Sequence, residues 1–418
     1  MVLDKNIGSA KDNMSSAIHN WYKFTAGFSY KFVDMIVDGL EKRPEVIYEP
    51  FAGCGTTLVA AQKKMIPAVG NESQKLMCDI INAKLNWDIS KDIVLLQLDR
   101  ILNLVHSGIS IQEKAKEIHS LMYTLFDEET LLTLYIIRDC IREISDEKTK
   151  LFLNLALSQT LHKTAIHPIA VPYISRAKTL LNSGNAIDKF VEIVNQMLSD
   201  LESLPHHTRY AEVFNFDSRK KNINIANESC DLCITSPPYL NNLDYGEVSK
   251  VHTHFFEYTR DWNDITQKVR HDLVTGATTH YKDSEFDIIS FENSDFALNN
   301  KKLFIELKSR FDRIRENAKL RSGKKSFHIL MMLYFRDMFN VLNELRRILK
   351  SGSHAFLILG DSAPYGIHIP TTQFLGDIAQ SVGFGDYRIY KIRSRGNKWN
   401  SLSNRHNIEL SENILELS

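Results

Sequence analysis

The segment from residue 45 to residue 62 constrains the fold more than any other part of this chain. Residues 45–48 (EVIY) predict a short buried strand, and residues 58–62 (LVAAQ) predict the start of a helix. Gly53 and Gly55 lie between them and allow a sharp turn that brings the backbone close to a ligand. Strand, glycine-rich turn and helix form the cofactor cradle of doubly wound α/β proteins. Because the turn contains no basic residue, it favours a cofactor with an amino-acid tail over a nucleotide diphosphate.

A second informative feature is a proline-rich turn at the end of another predicted strand. Residues 231–235 (DLCIT) predict the strand, and Ser236-Pro237-Pro238-Tyr239 follows it directly. Two consecutive prolines prevent the strand ladder from continuing, so the chain must turn there. A small hydroxyl before this rigid turn and an aromatic ring after it suit the binding of a flat ring that carries an amino group.

Several predicted strands end in polar or glycine residues. We predict strands at 45–48, 66–70, 211–216, 230–235, 354–359 and 387–393. The carboxyl ends of parallel strands share one edge of a sheet, so Gly53, Glu72, Asp217 and Ser236 should lie close together. The sequence therefore predicts an α/β fold with a doubly wound, Rossmann-like sheet and a ligand crevice at that edge.

These motifs resemble those of the DNA amino-methyltransferases that use S-adenosylmethionine. Phe51–Thr57 is similar to their cofactor loop, and Thr235–Tyr239 is similar to their catalytic loop. The resemblance covers roughly residues 20–85, 206–260 and 328–418. In this family an acid at the position of Glu72 holds the ribose hydroxyls, and an acid at the position of Asp217 contacts the adenine amino group.

The resemblance implies S-adenosylmethionine as the cofactor and two sets of site residues. The implied cofactor-binding residues are Glu49, Pro50, Phe51, Gly53, Gly55, Thr56, Thr57, Glu72, Asp217 and Ser218. The implied catalytic residues are Ser236, Pro237, Pro238 and Tyr239, with Tyr239 stacked on the target base. Glu49 departs from the family, which usually has aspartate there. Residues 24–30 resemble the segment over the methionine end of the cofactor, although Tyr30 stands where a proline is commoner.

The first residue of the catalytic loop bears on the target base. In the family, Ser-Pro-Pro-Tyr is commoner in cytosine-N4 enzymes, whereas aspartate or asparagine is commoner in adenine-N6 enzymes. Ser236 therefore favours the N4 amino group of a cytosine flipped out of duplex DNA, with adenine-N6 as the alternative. Methylation at carbon 5 of cytosine is disfavoured, because no Pro-Cys dipeptide occurs in the chain.

Three rival functions remain open from the sequence. RNA methylation uses the same fold, and methylation of a protein side-chain amide would act on a similarly delocalised nitrogen. A catalytically silent DNA-binding subunit is the third, but such a subunit has no reason to keep both loops intact. If the enzyme belongs to a restriction-modification system, a cognate restriction endonuclease is a candidate partner. The sequence does not indicate the oligomeric state.

Two predicted insertions divide the methyltransferase core. We expect the cofactor-binding half at 1–85, a helical insertion at 86–205, the catalytic part at 206–257, a second insertion at 258–327 and the remainder of the core at 328–418. Reading of bases requires elements outside a catalytic core. Either insertion is a candidate for DNA contact, while the first could equally be a packing appendage.

The chain balances 51 Lys+Arg against 51 Asp+Glu, so DNA binding would rely on local basic runs. The runs at 301–325 and 388–405 are candidate phosphate contacts, or else ordinary solvated surfaces. The five cysteines are odd in number and sparse, which indicates a reducing compartment. Cys230 and Cys233 fit an apolar strand better than a metal site, and His252 and His254 have no third ligand nearby, so no metal is expected.

Met1 to Ser15 is polar, and the chain has no run of 18 apolar residues. We therefore expect no signal peptide, no membrane span and a cytoplasmic, bacterial-type location.

Overall fold

Seven strands form one mixed sheet in a computed structural model. The model describes residues 7–24, 27–107, 118–171, 174, 179, 185–204, 208–241, 243–276, 284, 286–320, 326–395 and 408–418. The strands are β1 (Ile47–Glu49), β2 (Ala68–Glu72), β3 (Ala211–Asn215), β4 (Cys230–Thr235), β5 (Leu349–Gly360), β6 (Tyr387–Arg395) and β7 (Leu410–Leu417). Their order across the sheet is β3-β2-β1-β4-β5-β7-β6.

Fifteen α-helices accompany these strands in the described part of the chain. They are α1 (Tyr30–Gly39), α2 (Thr56–Lys63), α3 (Lys75–Leu85), α4 (Lys91–His106), α5 (Ser120–Tyr123), α6 (Glu128–Arg142), α7 (Glu147–Thr164), α8 (Ala186–Glu202), α9 (Tyr245–Phe255), α10 (Trp262–Asp264), α11 (Ile288–Glu292), α12 (Asp295–Asn299), α13 (Lys301–Lys319), α14 (Phe327–Ile348) and α15 (Thr371–Ser381).

Strands β1 to β5 pair in parallel, whereas β7 runs antiparallel to β5 and β6. The switch point of the strand order lies between β1 and β4. From β1 the chain continues to β2 and β3 on one side, whereas β4 and β5 lie on the other side. In open α/β sheets this switch point creates the ligand crevice at the carboxyl ends of the strands. All three residues of β1 are buried, as expected for a central strand covered on both faces.

Alternating residues of the strands belong to two hydrophobic layers on opposite faces of the sheet. Ile47 and Ile234 point into a layer with α1, α2, α3 and α9. Tyr48 and Cys233, their neighbours along the strands, point into a layer with α13, α14 and α15. This alternation produces a three-layer α/β/α core, because each strand side chain must be covered on its own face.

Both predicted insertions pack against this core. The helices α4 to α8 of the first segment share the layer of α1 to α3. The Trp21 indole donates to Asp200 of α8 at 2.8 Å, and Gln159 of α7 donates to the Asn20 carbonyl at 2.6 Å. Helices α11 to α13 of the second segment extend the opposite layer through buried residues such as Phe304 and Leu307.

The six predicted strands and the α/β fold class are confirmed, with shifted ends. β1 spans Ile47–Glu49 rather than 45–48, and β5 starts five residues earlier than predicted. Strand β7 was not predicted, because Glu412, Asn413 and Glu416 obscure its apolar pattern. Within β7 the run from Glu412 to Leu415 is buried, so two polar residues lie inside the protein.

Some residues named in the sequence analysis lie outside the described residues. They are Met1 to Asn6 of the polar N-terminus, Thr25 and Ala26 of the segment 24–30, residues 321–325 of the first basic run and residues 396–405 of the second.

Candidate active site

A cleft with an empty volume of about 760 Å³ opens at the carboxyl edge of the sheet. The loops after β1, β2, β3 and β4 all reach this cleft. Nine of the fourteen predicted site residues line the cleft, namely Pro50, Phe51, Gly53, Thr56, Glu72, Asp217, Ser218, Ser236 and Pro238. Glu49, Gly55, Thr57, Pro237 and Tyr239 lie outside its lining.

The glycine loop wraps the floor of the cleft in a conformation that needs glycine. Gly53 has φ of 54° and Gly55 has φ of 87°, values that other residues rarely adopt. The Gly53 amide donates to Glu72 Oε2 at 2.8 Å, which fixes the loop to the end of β2. Gly55 begins α2 instead of facing the cleft, and a Cβ there would lie 3.1 Å from the Ile81 side chain.

Glu49 supports the glycine loop from beneath. Its carboxyl group is buried, accepts a hydrogen bond from the Phe51 amide at 3.0 Å and accepts another from the Thr57 hydroxyl at 2.7 Å. Burial raises the pKa of Glu49 from its ordinary value of 4.5 to about 8, despite these hydrogen bonds. Glu49 and Thr57 therefore hold the loop without lining the cleft, which the motif alone did not reveal.

Replacement of Glu49 by glutamine should remove a pH dependence of stability. Between pH 4.5 and 8 the folded protein keeps a proton that the unfolded chain has lost, so the free energy of unfolding falls as pH rises. Because of this one group, the free energy of unfolding falls by at most about 1.4 kcal/mol per pH unit, and above the pKa of the folded protein it stops falling. Glu49→Gln mimics the protonated form, so its free energy of unfolding should not fall for this reason as pH rises.

Urea denaturation of both proteins across this pH window measures the effect. The stability of Glu49→Gln relative to the wild type should increase from pH 5 to pH 8. A difference that stays constant with pH would contradict protonation of Glu49 in the folded protein.

Glu72 presents a carboxylate to the cleft. It is 8% exposed, and its second oxygen accepts from the Gln74 amide at 2.8 Å. Burial raises the pKa of Glu72 to about 7, although the backbone hydrogen bonds oppose this shift. The group is therefore close to half ionised at neutral pH before a ligand binds.

The loop after β3 contributes Asp217 and Ser218. The Ser218 hydroxyl donates to the Pro50 carbonyl at 2.6 Å and joins this loop to the one after β1. The Asp217 carboxylate pairs with Arg219 at 2.9 Å and with Lys220 at 3.1 Å. Burial alone would raise the pKa of Asp217, but the hydrogen bonds and charge of Arg219 outweigh it and lower the pKa. Arg219 was not predicted from the sequence.

The proline-rich loop leaves β4 at the edge of the cleft. The Ser236 hydroxyl donates weakly to the Ile358 carbonyl at 3.4 Å, and the Tyr334 hydroxyl donates to the Pro238 carbonyl at 3.0 Å. Tyr239 follows in the same loop but does not line the cleft. Its hydroxyl donates to Glu412 Oε1 at 3.0 Å, and the Arg395 guanidinium lies 5.0 Å from its ring centre. The stacking of Tyr239 on a base stays a prediction.

Residues outside the two sets of predicted site residues complete the cleft. Phe28, Met77 and Tyr245 add apolar walls, and Leu273 with Val274 comes from the second inserted segment. Phe28 belongs to the segment 24–30 that resembled a cofactor cover. No local sequence pattern marks Leu273 and Val274 as site residues, because they reach the cleft only through the path of the chain after α9.

Asp244 and His252 have mainly structural contacts. Asp244 caps α9 and pairs with Arg270 at 2.6 Å. His252, within α9, is buried against Tyr22 and His162, and burial lowers its pKa to about 4.

Within the described part of the chain, no group of three or more His, Cys, Asp and Glu side chains is arranged to hold a metal ion.

The two basic runs differ in their surroundings. On α13, Lys308 pairs with Glu292 at 3.3 Å, Arg310 with Glu306 at 3.3 Å and Lys319 with Glu316 at 2.7 Å. On β6, Arg388 and Lys391 are exposed, although Lys391 also pairs with Glu409 at 3.0 Å, and Arg395 lies over the ring of Tyr239 in the proline-rich loop. The β6 run is therefore the one that contacts the candidate site.

Comparison with known proteins identifies relatives over most of the chain. It is 24% identical to the type II methyltransferase M.AvaI of a Nostoc strain in an alignment 420 positions long, which covers 93% of this chain and 83% of the relative. It is 22% identical to M.MvaI of Kocuria varians in an alignment 419 positions long, covering 93% and 85%. Over most of its length the chain is similar to proteins named type II methyltransferases, which supports a DNA methyltransferase.

A third type II methyltransferase, M.BsoBI of Geobacillus stearothermophilus, is 22% identical in an alignment 454 positions long, which covers 98% of this chain and 87% of the relative. No family model matches the chain. The methyltransferase relationship inferred from the motifs is thereby confirmed, and the relatives align across the segments between the motifs as well. Among the described residues, no helix is both long and apolar enough to cross a membrane.

Proposed function

We propose that this protein is a site-specific DNA methyltransferase that transfers a methyl group from S-adenosylmethionine to the N4 amino group of a flipped cytosine. The relatives named type II methyltransferases support DNA modification within a restriction-modification system. One observation carries the proposal above all. Ser236 and Pro238 line the same cleft as Gly53 and Glu72, so an amine-binding loop and a cofactor loop share one cavity.

The side chains that line the cleft suit the chemistry of S-adenosylmethionine. Glu72 offers a carboxylate for ribose hydroxyls, and Phe51, Phe28 and Met77 offer apolar surface to a flat adenine ring. The left-handed Gly53 leaves the floor of the cleft free of a side chain. Bound there, this cofactor would supply a methyl group on a positively charged sulfur.

Asp217 would contribute less than the family resemblance implies. Both of its oxygens already accept hydrogen bonds from Arg219, at 2.9 Å each. The Arg219 backbone amide at 3.0 Å and the Lys220 ammonium at 3.1 Å contact the same two oxygens, so the roughly four acceptor positions of an ionised carboxylate are taken. An adenine amino group would therefore have to displace a donor, most easily the exposed Lys220. Arg219 holds Asp217 in place and keeps it ionised.

Ser236 is the residue best placed to activate the target amine. The amine is a poor nucleophile, because its lone pair is delocalised into the base. The Ser236 hydroxyl directs its hydrogen towards the Ile358 carbonyl, which leaves the oxygen lone pairs free to accept an N–H of the amine. An acceptor on this N–H draws the nitrogen towards a tetrahedral shape and restores its lone pair. Orientation and fixed dipoles would then provide most of the acceleration.

The Pro237-Pro238 turn keeps this acceptor in place. Two fixed φ angles and the Tyr334 hydrogen bond to Pro238 limit the movement of the loop. A rigid acceptor loses little orientation entropy when the base arrives. The target base would have to leave the duplex stack to reach it, at a cost of a few kcal/mol.

DNA would approach the face on which the cleft opens. The exposed basic residues of β6 are candidate phosphate contacts, since Arg395 on that strand already reaches the catalytic loop. The second inserted segment is the better candidate for base reading, because its residues Leu273 and Val274 reach the cleft. The helices α4 to α8 join the core layer around α3, which favours a packing role for them.

Expression in a bacterial host that lacks DNA methylation tests this proposal. Single-molecule sequencing of the host DNA should show N4-methylcytosine at one short recurring sequence, and none in a host that carries Ser236→Ala. N6-methyladenine at such a site would retain the enzyme class but overturn the preference for cytosine. Unmodified DNA together with methylated RNA or protein would overturn DNA as the substrate.

A further inference from the structure

Glu412 of β7 is a buried acid beside the catalytic loop, although the cleft and the motifs do not include it. It is 3% exposed. One of its oxygens accepts from the Tyr239 hydroxyl at 3.0 Å, and the other pairs with Arg393 of β6 at 2.7 Å. A carboxylate so deeply buried requires such partners to remain in place. Glu412 thus joins the catalytic loop to the hairpin formed by β6 and β7.

The same acid lies close to Gly8 in the N-terminal segment, and this segment is hydrogen-bonded to Ser29 beside the cleft. We call Ile7, Gly8 and residues 27–29 the N-terminal cover. Arg393 donates to the Gly8 carbonyl at 3.4 Å, and a Cβ at Gly8 would lie only 2.3 Å from Glu412 Oε2. The adjoining Ile7 carbonyl accepts from the Ser29 amide at 3.0 Å. Phe28, directly before Ser29, lines the cleft. Contacts from the N-terminal cover and from the catalytic loop therefore meet at Glu412.

Neighbouring groups hold the ring of Tyr239 in place, just as Glu412 holds its hydroxyl. The Arg395 guanidinium lies over the ring, and Gly360 at the end of β5 lies so close that a Cβ there would be 2.9 Å from Tyr239 Cε2. Burial raises the pKa of Tyr239 well above its ordinary value, so the hydroxyl remains a hydrogen-bond donor to Glu412.

We propose that Glu412 is a positioning residue for methyl transfer, which sets the orientation of Tyr239 beside Ser236 and links it to the N-terminal cover of the cofactor cleft. Glu412 does not line the cleft, so it acts through Tyr239 and not on the substrate. The inference rests on the proposed function, because methyl transfer is the reaction whose geometry Glu412 would set.

The hairpin offers a matched control for this hydrogen bond. Tyr390 of β6 donates to Glu416 of β7 at 2.7 Å, so Tyr390→Phe removes the same type of contact from the same hairpin. Tyr239→Phe should lower kcat about tenfold, the effect of one lost hydrogen bond of about 1.4 kcal/mol. The Kd for S-adenosylmethionine should not change. Tyr390→Phe should leave both constants unchanged, whereas full kcat in Tyr239→Phe would overturn the proposal.

Variants of Glu412 test whether the two residues act as one unit. Glu412→Leu removes the acceptor and should lower kcat about as much as Tyr239→Phe, while Glu412→Gln keeps an acceptor oxygen and should recover most of the rate. The double variant Tyr239→Phe/Glu412→Leu should be no slower than the slower single variant. If the two effects multiply instead, the residues act independently and the proposal fails.

A substitution at Gly8 tests the contact between Glu412 and the N-terminal segment. Gly8→Ala would force the Glu412 carboxylate to move, because the added carbon would also lie 2.8 Å from Cδ of Glu412. This variant should reproduce the loss of kcat. Gly39→Ala, where no atom lies within 4 Å of the added carbon, should not. Equal activity of the two alanine variants would contradict the link.

Hydrogen–deuterium exchange separates this inference from the proposed function. Exchange of a peptide that covers residues 236–241 should increase in Tyr239→Phe and stay unchanged in Tyr390→Phe. A wild-type protein that methylates nothing would overturn the proposed function, and the exchange result would then decide the role of Glu412 alone. Equal exchange in the wild type and Tyr239→Phe would overturn that role.

Discussion

Replacement of Ser236 by alanine is expected to lower kcat for methyl transfer about 10²–10³-fold, the cost of removing one fixed transition-state hydrogen-bond partner. The S-adenosylmethionine Kd should stay unchanged, because the variant keeps Gly53, Glu72 and the Pro237-Pro238 turn. The effect should fall on kcat and not on KM for DNA, since the hydrogen bond strengthens as the amine becomes tetrahedral. Single-turnover transfer of labelled methyl groups to DNA measures this step directly.

Ser381 provides a matched control for the serine substitution. Its hydroxyl also donates to a backbone carbonyl, that of Ile378 at 2.7 Å, but it lies at the end of α15 and outside the cleft. Ser381→Ala should therefore retain the full rate. A Ser236→Ala enzyme with wild-type kcat would remove Ser236 from the mechanism.

Replacement of Glu72 by alanine is expected to weaken S-adenosylmethionine binding about 100-fold or more. The carboxylate accepts the Gly53 and Gln74 amides and would also accept the ribose hydroxyls. Hydrogen bonds to a charged group contribute about 1.5–3 kcal/mol each, so the loss of two ligand contacts gives this magnitude. Isothermal titration calorimetry measures the Kd. Glu212→Ala, on the exposed side of β3, should bind normally.

Glu72 should also make cofactor affinity depend on pH. Its pKa of about 7 means that the carboxyl group must lose a proton before it can accept both ribose hydroxyls as an anion. Affinity should therefore fall as pH drops below 7, by up to about tenfold per pH unit. Titration of the ligand itself affects both proteins equally, so it cancels when the wild-type Kd is divided by the Kd of Glu72→Gln at each pH. A ratio that stays constant between pH 5.5 and pH 8 would contradict this role of Glu72.

The sequence predicted those parts of the site that depend on local patterns. Gly53, Glu72, Asp217 and Ser236 each lie at the end of a strand or within four residues after it, and parallel pairing brings the ends of such strands to one edge. Their convergence in the cleft required no knowledge of long-range packing. The same reasoning placed six of the seven strands.

The orientation of Tyr239 could not be predicted in this way. It depends on Glu412 and Arg395, which lie more than 150 residues further along the chain and come from a hairpin whose second strand carries an atypical pattern. The supporting role of Glu49 depends on its burial, which a motif does not encode. The contacts of Arg219 and the approach of Leu273 to the cleft likewise follow from the path of the second inserted segment.

The most direct test of the central claim is to identify the product of the reaction. The purified protein is incubated with S-adenosylmethionine and unmodified duplex DNA of diverse sequence, the DNA is digested to nucleosides, and the nucleosides are compared by mass and retention with authentic standards. We predict N4-methyl-2′-deoxycytidine from the wild type and none from Ser236→Ala. Formation of only N6-methyl-2′-deoxyadenosine, or of no methylated deoxynucleoside from any DNA, would contradict the proposed cytosine-N4 activity.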